Sequence, residues 1–179
     1  MAKISRTEAR EALFGLMFEV EFQNEANPTE IYDRSCQNRE IPADSYIKKA
    51  FFGTLSKCEV IDAVIGKYST GWKADRLSKV SRSILRIAVY EILFEDDIHP
   101  NISISQAVSL AVKYGEDRAK QFVNGVLSGL FKDWESDGSE AIIAAAVASL
   151  ETKTEDEAEA EVEAEVEVVS EASDEETNA

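Results

Sequence analysis

Arg6 and Arg10 stand four residues apart with Lys3 just ahead, and on a helix that spacing puts both guanidiniums on one face. Cations so placed can follow a phosphate backbone. Three such contacts would weaken binding roughly 20-fold for a fourfold rise in salt, from a slope of about −0.7 per contact. A solvated face with Glu8 and Glu11 as ion-pair partners would use the same residues equally well. A second cluster runs Tyr114-Gly115-Glu116-Asp117-Arg118-Ala119-Lys120-Gln121-Phe122. Arg118 and Lys120 offer charge, and Tyr114 and Phe122 offer rings on which unpaired bases stack. Glu116 and Asp117 work against RNA unless they face away, and Phe122 also falls in an apolar row that a core would use.

Phe14, Phe18 and Phe22 recur at every fourth position, rotated off the main apolar stripe of their helix. Such a row serves a core, a contact with a second bundle, or a docking patch. Arg76, Lys79, Arg82 and Arg86 form a basic stripe further along, in which Arg86 reads as a structural donor tying helices together. Catalysis has little to stand on. The single His99 precedes a proline, no Ser–His or Cys–His set forms around it, and there is no phosphate-binding loop, dinucleotide fingerprint or metal-ligand cluster. The expectation is a protein that is no enzyme and needs no cofactor or metal.

The elements that must position these residues are helices. Only three prolines and eight glycines interrupt the chain, and apolar residues recur with helical period up to Trp134. The first helix starts near Ser5, where Ser5-x-x-Glu8 fits a capping box, and buries Ala9, Ala12, Leu13, Leu16, Met17 and Val20. A weaker helix covers about 29–37. A third opens at Asp44 and carries Ile47, Ala50, Phe51, Thr54, Leu55, Cys58, Ile61 and Ile65 on one face. Gly66 and Gly71 mark a joint. A helix from about Asp75 to Phe94 follows, with Leu77, Val80, Ile84, Leu85, Ala88 and Ile92 opposite the basic stripe. Ser103-x-x-Gln106 fits the cap of a fifth helix, ending at Gly115 as a left-handed cap. A sixth carries Phe122, Val123, Val126, Leu127, Leu130 and Phe131, with Gly125 and Gly129 allowing close approach. The expected fold is all-α: two consecutive three-helix bundles, over 1–66 and 67–136.

Residues 137–179 differ. Ala141–Leu150 is an apolar stretch that could dock as a helix, and from Glu151 on Glu, Ala and Val alternate, a composition expected to stay disordered. The net charge of −16 belongs mostly to this tail: from Asp137 onward fifteen acids meet one base, which leaves the body at −2. Partner arguments therefore rest on local patches. Cys36 and Cys58 read as free thiols, and no apolar run reaches the roughly 20 residues of a membrane span, so a cytoplasmic protein is expected.

Three motifs in series carry a resemblance. Trp72-x-x-x-Arg76-Leu77-Ser78 with Arg82-Ser83-Ile84-Leu85-Arg86-Ile87-Ala88-Val89-Tyr90-Glu91 comes first. Ile104-Ser105-Gln106-Ala107-Val108 with Ala111-Val112-Lys113-Tyr114-Gly115 follows, and then Phe122-Val123-Asn124-Gly125-Val126-Leu127. With Ala9-Arg10-Glu11-Ala12-Leu13 at the start, residues 1 to about 132 resemble the NusB family of bacterial transcription antitermination factors. The resemblance implies two small helical bundles that pair with a small-subunit ribosomal protein, called NusE in this role. Together they would bind boxA-type single-stranded RNA and join the RNA polymerase antitermination complex on ribosomal RNA operons. It also implies RNA contacts at Lys3, Arg6, Arg10, Tyr114, Arg118, Lys120 and Phe122. Contacts to the ribosomal partner would fall at Phe18, Ser81 and Arg82, with Ser81 standing where the family usually has an acid. A helical adaptor or ribosomal-protein assembly helper without RNA affinity stands as the alternative, and a homodimer is left open.

Overall fold

Most of the helices begin where a side chain can satisfy amides that the first turn leaves unpaired. The Ser5 hydroxyl accepts from the Glu8 amide at 3.2 Å while the Glu8 carboxylate accepts from the Ser5 amide at 2.9 Å, the reciprocal box expected for α1 (Arg6–Val20). Asn27 caps α2 (Pro28–Asn38), with Pro28 in its first turn. Asp44 accepts from the amides of Tyr46 and Ile47 to start α3 (Ser45–Ser56). Next come α4 (Cys58–Tyr68) and α5 (Lys79–Phe94), the latter capped by Ser78. His99 Nδ1 accepts from the Asn101 amide ahead of α6 (Pro100–Tyr114), and α7 (Ala119–Glu175) completes the chain. This computed structural model describes residues 4–23, 26–69 and 77–175, with side chains as far as Thr154 apart from Lys153. Lys3, Trp72, Gly71 and Arg76 lie outside the described residues, as do the side chains of most of the stretch expected to be disordered.

Helix α5 is the axle. It touches α1, α3, α4, α6 and α7, and from Ser83 to Leu93 every residue but Arg86 is buried. Helices α1, α2 and α3 cover one flank, while α4, α6 and α7 cover the other. Leu13, Leu16, Met17, Ile47, Phe51, Ile61, Ile65, Leu85, Leu127 and Leu130 belong to one continuous core that spans both groups. Gly53 must lack a side chain, because a Cβ there would sit 2.3 Å from the Tyr90 hydroxyl.

Several boundaries differ from expectation. The long third helix is two: at Lys57 (φ −118°, ψ 16°) the backbone leaves the α region, although the apolar row continues through it. Helix α4 packs chiefly on α7 and α5. Helix α6 starts at Pro100 and not at Ser103, whose side chain is buried within it. Gly115 does end α6, but in an extended conformation (φ −87°, ψ 168°) and not the left-handed one. Glycine is needed there for space, since a Cβ would meet the Ala119 side chain at 2.4 Å and the Ala111 carbonyl at 2.5 Å. Gly129 lies against the Tyr68 ring, whereas Gly125 faces open space.

Helix α7 continues past Trp134 and kinks at Gly138, which takes a left-handed φ of 78°. Trp134 Nε1 donates to Ser139 Oγ at 3.0 Å, and beyond the kink Ile142 and Ala146 are buried in the common core. The apolar stretch 141–150 therefore docks as a helix. No described helix is long and apolar enough to cross a membrane.

Candidate nucleic-acid interface

Four rings form a ladder along one side of the molecule. Phe14, Phe18 and Phe22 share a face of α1 because they are four residues apart. Phe14 and Phe18 have ring centroids 5.9 Å apart, and Phe18 and Phe22 5.0 Å. Tyr114, at the end of α6, adds a fourth ring 4.9 Å from Phe14. The ladder emerges from the core at both ends: Phe14 is buried and Phe18 half-buried, while Phe22 is 61% and Tyr114 39% exposed. Lys79 closes one end, with its ammonium 3.7 Å from the Phe22 ring centre and donating to the Glu21 carbonyl at 2.7 Å. At the other end Glu11 accepts from the Tyr114 hydroxyl and from Lys113 at 2.5 Å. Those hydrogen bonds, first from Lys113 and then from Tyr114, hold the Glu11 carboxyl below its ordinary range.

Beside Lys79 opens a crevice. Leu77, Ser78 and Ser81 line it from the start of α5, and Arg118, Ala119, Gln121 and Phe122 from the start of α7. Glu116 and Asp117 line it too, so they do not face away and the crevice is not uniformly positive. Arg118 and Lys120 are exposed. Phe122 is half-buried against the core, so it packs there with part of its ring left accessible. Ser81 is buried at the crevice floor and accepts a hydrogen bond from Ser78. The structure thus brings Arg118 and Phe122, expected on RNA, together with Ser81, expected on protein.

Arg10 does not share the exposed face of Arg6. It is buried, and its Nε donates to Glu91 at 2.8 Å, with the Tyr46 hydroxyl donating to the same carboxylate oxygen. A guanidinium held in this way is not free to track phosphate, and the expected three-cation arm is corrected accordingly. Arg6 remains accessible: its side chain is 63% exposed, 4.6 Å over the Tyr46 ring and 3.9 Å from Asp44. Arg82 is also turned inward. It pairs with Glu21, which is itself buried, leaving little of the side chain for a partner. Arg86 ties helices together as expected, donating to Asp62 at 2.8 and 2.6 Å and to Glu21 at 2.6 Å. Burial opposes the charge on Arg86, but the Asp62 hydrogen bonds outweigh it and raise its pKa.

Cys58 neighbours this network, with Sγ 3.8 Å from Asp62, and burial with that carboxylate pushes the thiol up to about 11. The reactive thiolate is therefore scarce at neutral pH. At pH 8, Cys58 in the folded protein is expected to react with a thiol reagent roughly 100-fold slower than in the urea-unfolded chain. Peptide mapping of the labelled protein checks this, and equal rates in the two states would refute it.

Sequence reasoning missed Glu21 and Glu91, and it offered Glu11 to the cations of its own helix, whereas Glu11 accepts from Lys113 and Tyr114. Nothing local in the sequence says which acid pairs with which cation. Among the described residues no group of His, Cys, Asp and Glu is placed to hold a metal.

Comparison with known proteins adds a family. The sequence profile described as "NusB family" matches residues 7–132. The chain is similar to a transcription antitermination protein NusB from Agathobacter rectalis, 41% identical over 128 residues, covering 70% of this chain and 98% of that one. It is also similar to the solved structure of T. maritima NusB, with a TM-score of 0.66 and 32% identity, covering 74% of this chain and 94% of that one. A solved complex of the antitermination factors NusB and NusE with double-stranded RNA contains a further likeness. Its TM-score is 0.64 at 32% identity, with 71% of this chain and 96% of that one covered.

Proposed function

The chain belongs to the NusB family of transcription antitermination proteins, which are not enzymes, and on that footing we propose which of its surfaces does what. The protein works in the cytoplasm, pairs with the small-subunit ribosomal protein NusE, and holds boxA-type RNA of ribosomal operon transcripts for the polymerase complex. The protein partner sits on the Phe18–Phe22 end of the ring ladder and in the crevice over Ser81. RNA is held by Arg6, Tyr114, Arg118 and Lys120, with Lys3 ahead of them.

The observation that carries this division is the meeting of ladder and crevice at the start of α5. Half-buried rings next to a pocket of mixed charge make a desolvated centre with a polar rim, which is how protein interfaces are built. The exposed cations Arg118 and Lys120, at the start of α7, lie at the edge of that patch, where they can reach the phosphates of an RNA held beside the partner. The related complex holds both NusE and RNA, which supports one composite surface in this chain too.

Phe18→Glu tests the protein half. It is expected to weaken binding of the purified ribosomal protein at least about 30-fold, as loss of a central ring does. Titration calorimetry reads the affinity, and circular dichroism confirms that the helices persist. An affinity within threefold of the unaltered protein would sink the assignment.

A further inference from the structure

Gly138 carries a backbone conformation that only glycine holds without strain. Its φ of 78° and ψ of 171° belong to no helix, yet helix runs up to it and away from it. A Cβ there would meet nothing within 4 Å, so no neighbour demands glycine and the torsions alone do. Residues 140–150 hold five alanines and neither glycine nor proline, a composition that propagates a helix already begun. The hold of this segment on the body is narrow. Only Ile142 and Ala146 of it are fully buried, while Ala144, Ala145 and Val147 beside them are exposed. One polar fastening adds to them: Ser139 Oγ accepts from Trp134 Nε1 at 3.0 Å and donates to the Ile92 carbonyl at 3.4 Å.

We propose that residues 139–150 are a hinged arm with two positions, and that Gly138 is the hinge. In the first position the arm lies bent against the body, as described above. In the second, Gly138 takes helical torsions and α7 runs straight, which lifts Ile142 and Ala146 clear. Different forces hold the two positions. The bent arm buries two side chains and keeps the Ser139 hydrogen bonds. The straight arm releases the glycine-only torsions and restores the backbone hydrogen bonds that a kink interrupts. With so few contacts to break, the arm opens far more often than the body unfolds. Opening frees a stripe of Ile142, Ile143, Ala146, Val147 and Leu150, spaced by three and four residues as on an amphipathic helix. It also swings the acid-rich stretch after residue 150 away from the end of α5. Hinge and arm both lie outside residues 7–132, the portion shared with the family.

Thiol labelling of the full chain reads the opening. Ala146→Cys places a thiol beneath the arm, and Ala88→Cys places one in the middle of α5, where only unfolding of the body exposes it. Ala50→Cys, equally buried in α3, is a second reference should Ala88→Cys fail to show a cooperative urea transition. Peptide mapping separates each site from Cys36 and Cys58, and each rate is divided by that of the urea-unfolded chain. Without denaturant, position 146 is expected to react at least about 100-fold faster than the reference. Gly138→Ala should speed labelling at 146 at least about tenfold further, because alanine strains the bent position only. Helical circular dichroism of Gly138→Ala should hold steady or rise, since a swung arm stays helical. Equal rates at 146 and at the reference would overturn the proposal, as would a rate at 146 that ignores Gly138→Ala. A fall in the helical signal would overturn it too, because the arm would then melt and not swing.

Discussion

Arg10→Ala is expected to destabilise the folded protein by about 3–5 kcal/mol, the usual penalty for breaking a buried ion pair by removing one partner. Arg10 and Glu91 have side chains 5% and 1% exposed, so neither charge has water to fall back on. Removing the guanidinium leaves the Glu91 carboxylate in the core with only the Tyr46 hydroxyl donating to it. Urea unfolding followed by helical circular dichroism reads the loss as a lower midpoint with an unchanged slope. The triple change Arg10→Met, Glu91→Leu and Tyr46→Phe should recover most of it, because apolar replacement of a whole buried network leaves nothing unsatisfied. A loss below about 1 kcal/mol for Arg10→Ala would mean that the pair is solvated after all. The same residue also separates structure from recognition: any RNA defect of Arg10→Ala should track its unfolded fraction and vanish where the protein is fully folded.

The second large effect concerns RNA. Arg118→Gln with Lys120→Gln removes two exposed cations without disturbing the core. Two phosphate contacts to single-stranded RNA contribute a salt slope of about −1.4. Extrapolated from 1 M salt, that is about tenfold in affinity at 0.15 M. The double variant is therefore expected to bind boxA-type RNA, in the presence of the ribosomal partner, about tenfold more weakly. Its plot of log affinity against log salt should also be flatter by about 1.4. Partner affinity without RNA should stay within a few-fold, which sets this result apart from that of Phe18→Glu. An unchanged RNA affinity and slope would favour the adaptor without intrinsic RNA affinity, a reading to which Glu116 and Asp117 in the crevice already lend weight.

What the sequence made legible was local. The Ser5–Glu8 box and the apolar stripes follow from neighbours three, four or seven residues away, and the structure shows them. Arg86, by contrast, ties helices together through Asp62 and Glu21, which lie 24 and 65 residues away in the chain. The helix break at Lys57 was invisible because neither glycine nor proline marks it and the apolar row runs straight through. Ser103-x-x-Gln106 fits a cap on paper, but tertiary packing wanted a small residue inside the helix and left capping to His99. The fate of Arg10 was equally hidden. Its spacing from Arg6 promised one shared face, yet its partner Glu91 lies 81 residues away in the chain. Long-range pairing is where a periodic pattern stops speaking, and the candidate cations divide along that line: Arg6, Arg118 and Lys120 are accessible, while Arg10 and Arg82 are held inside.

The kink at Gly138 makes the segment after residue 132 a structural plug and not an ornament. Ile142 and Ala146 fill a socket in the body, so trimming the protein back to its family-matching portion would not yield a minimal version of the same molecule. It would yield one with an open, greasy scar near the far end of α5, where Ser139 reaches the Ile92 carbonyl at 3.4 Å. That end is some 16 Å from Ser81 at 1.5 Å of rise per residue, so the plug seals a part of the body well removed from the crevice that has to welcome a polyanion.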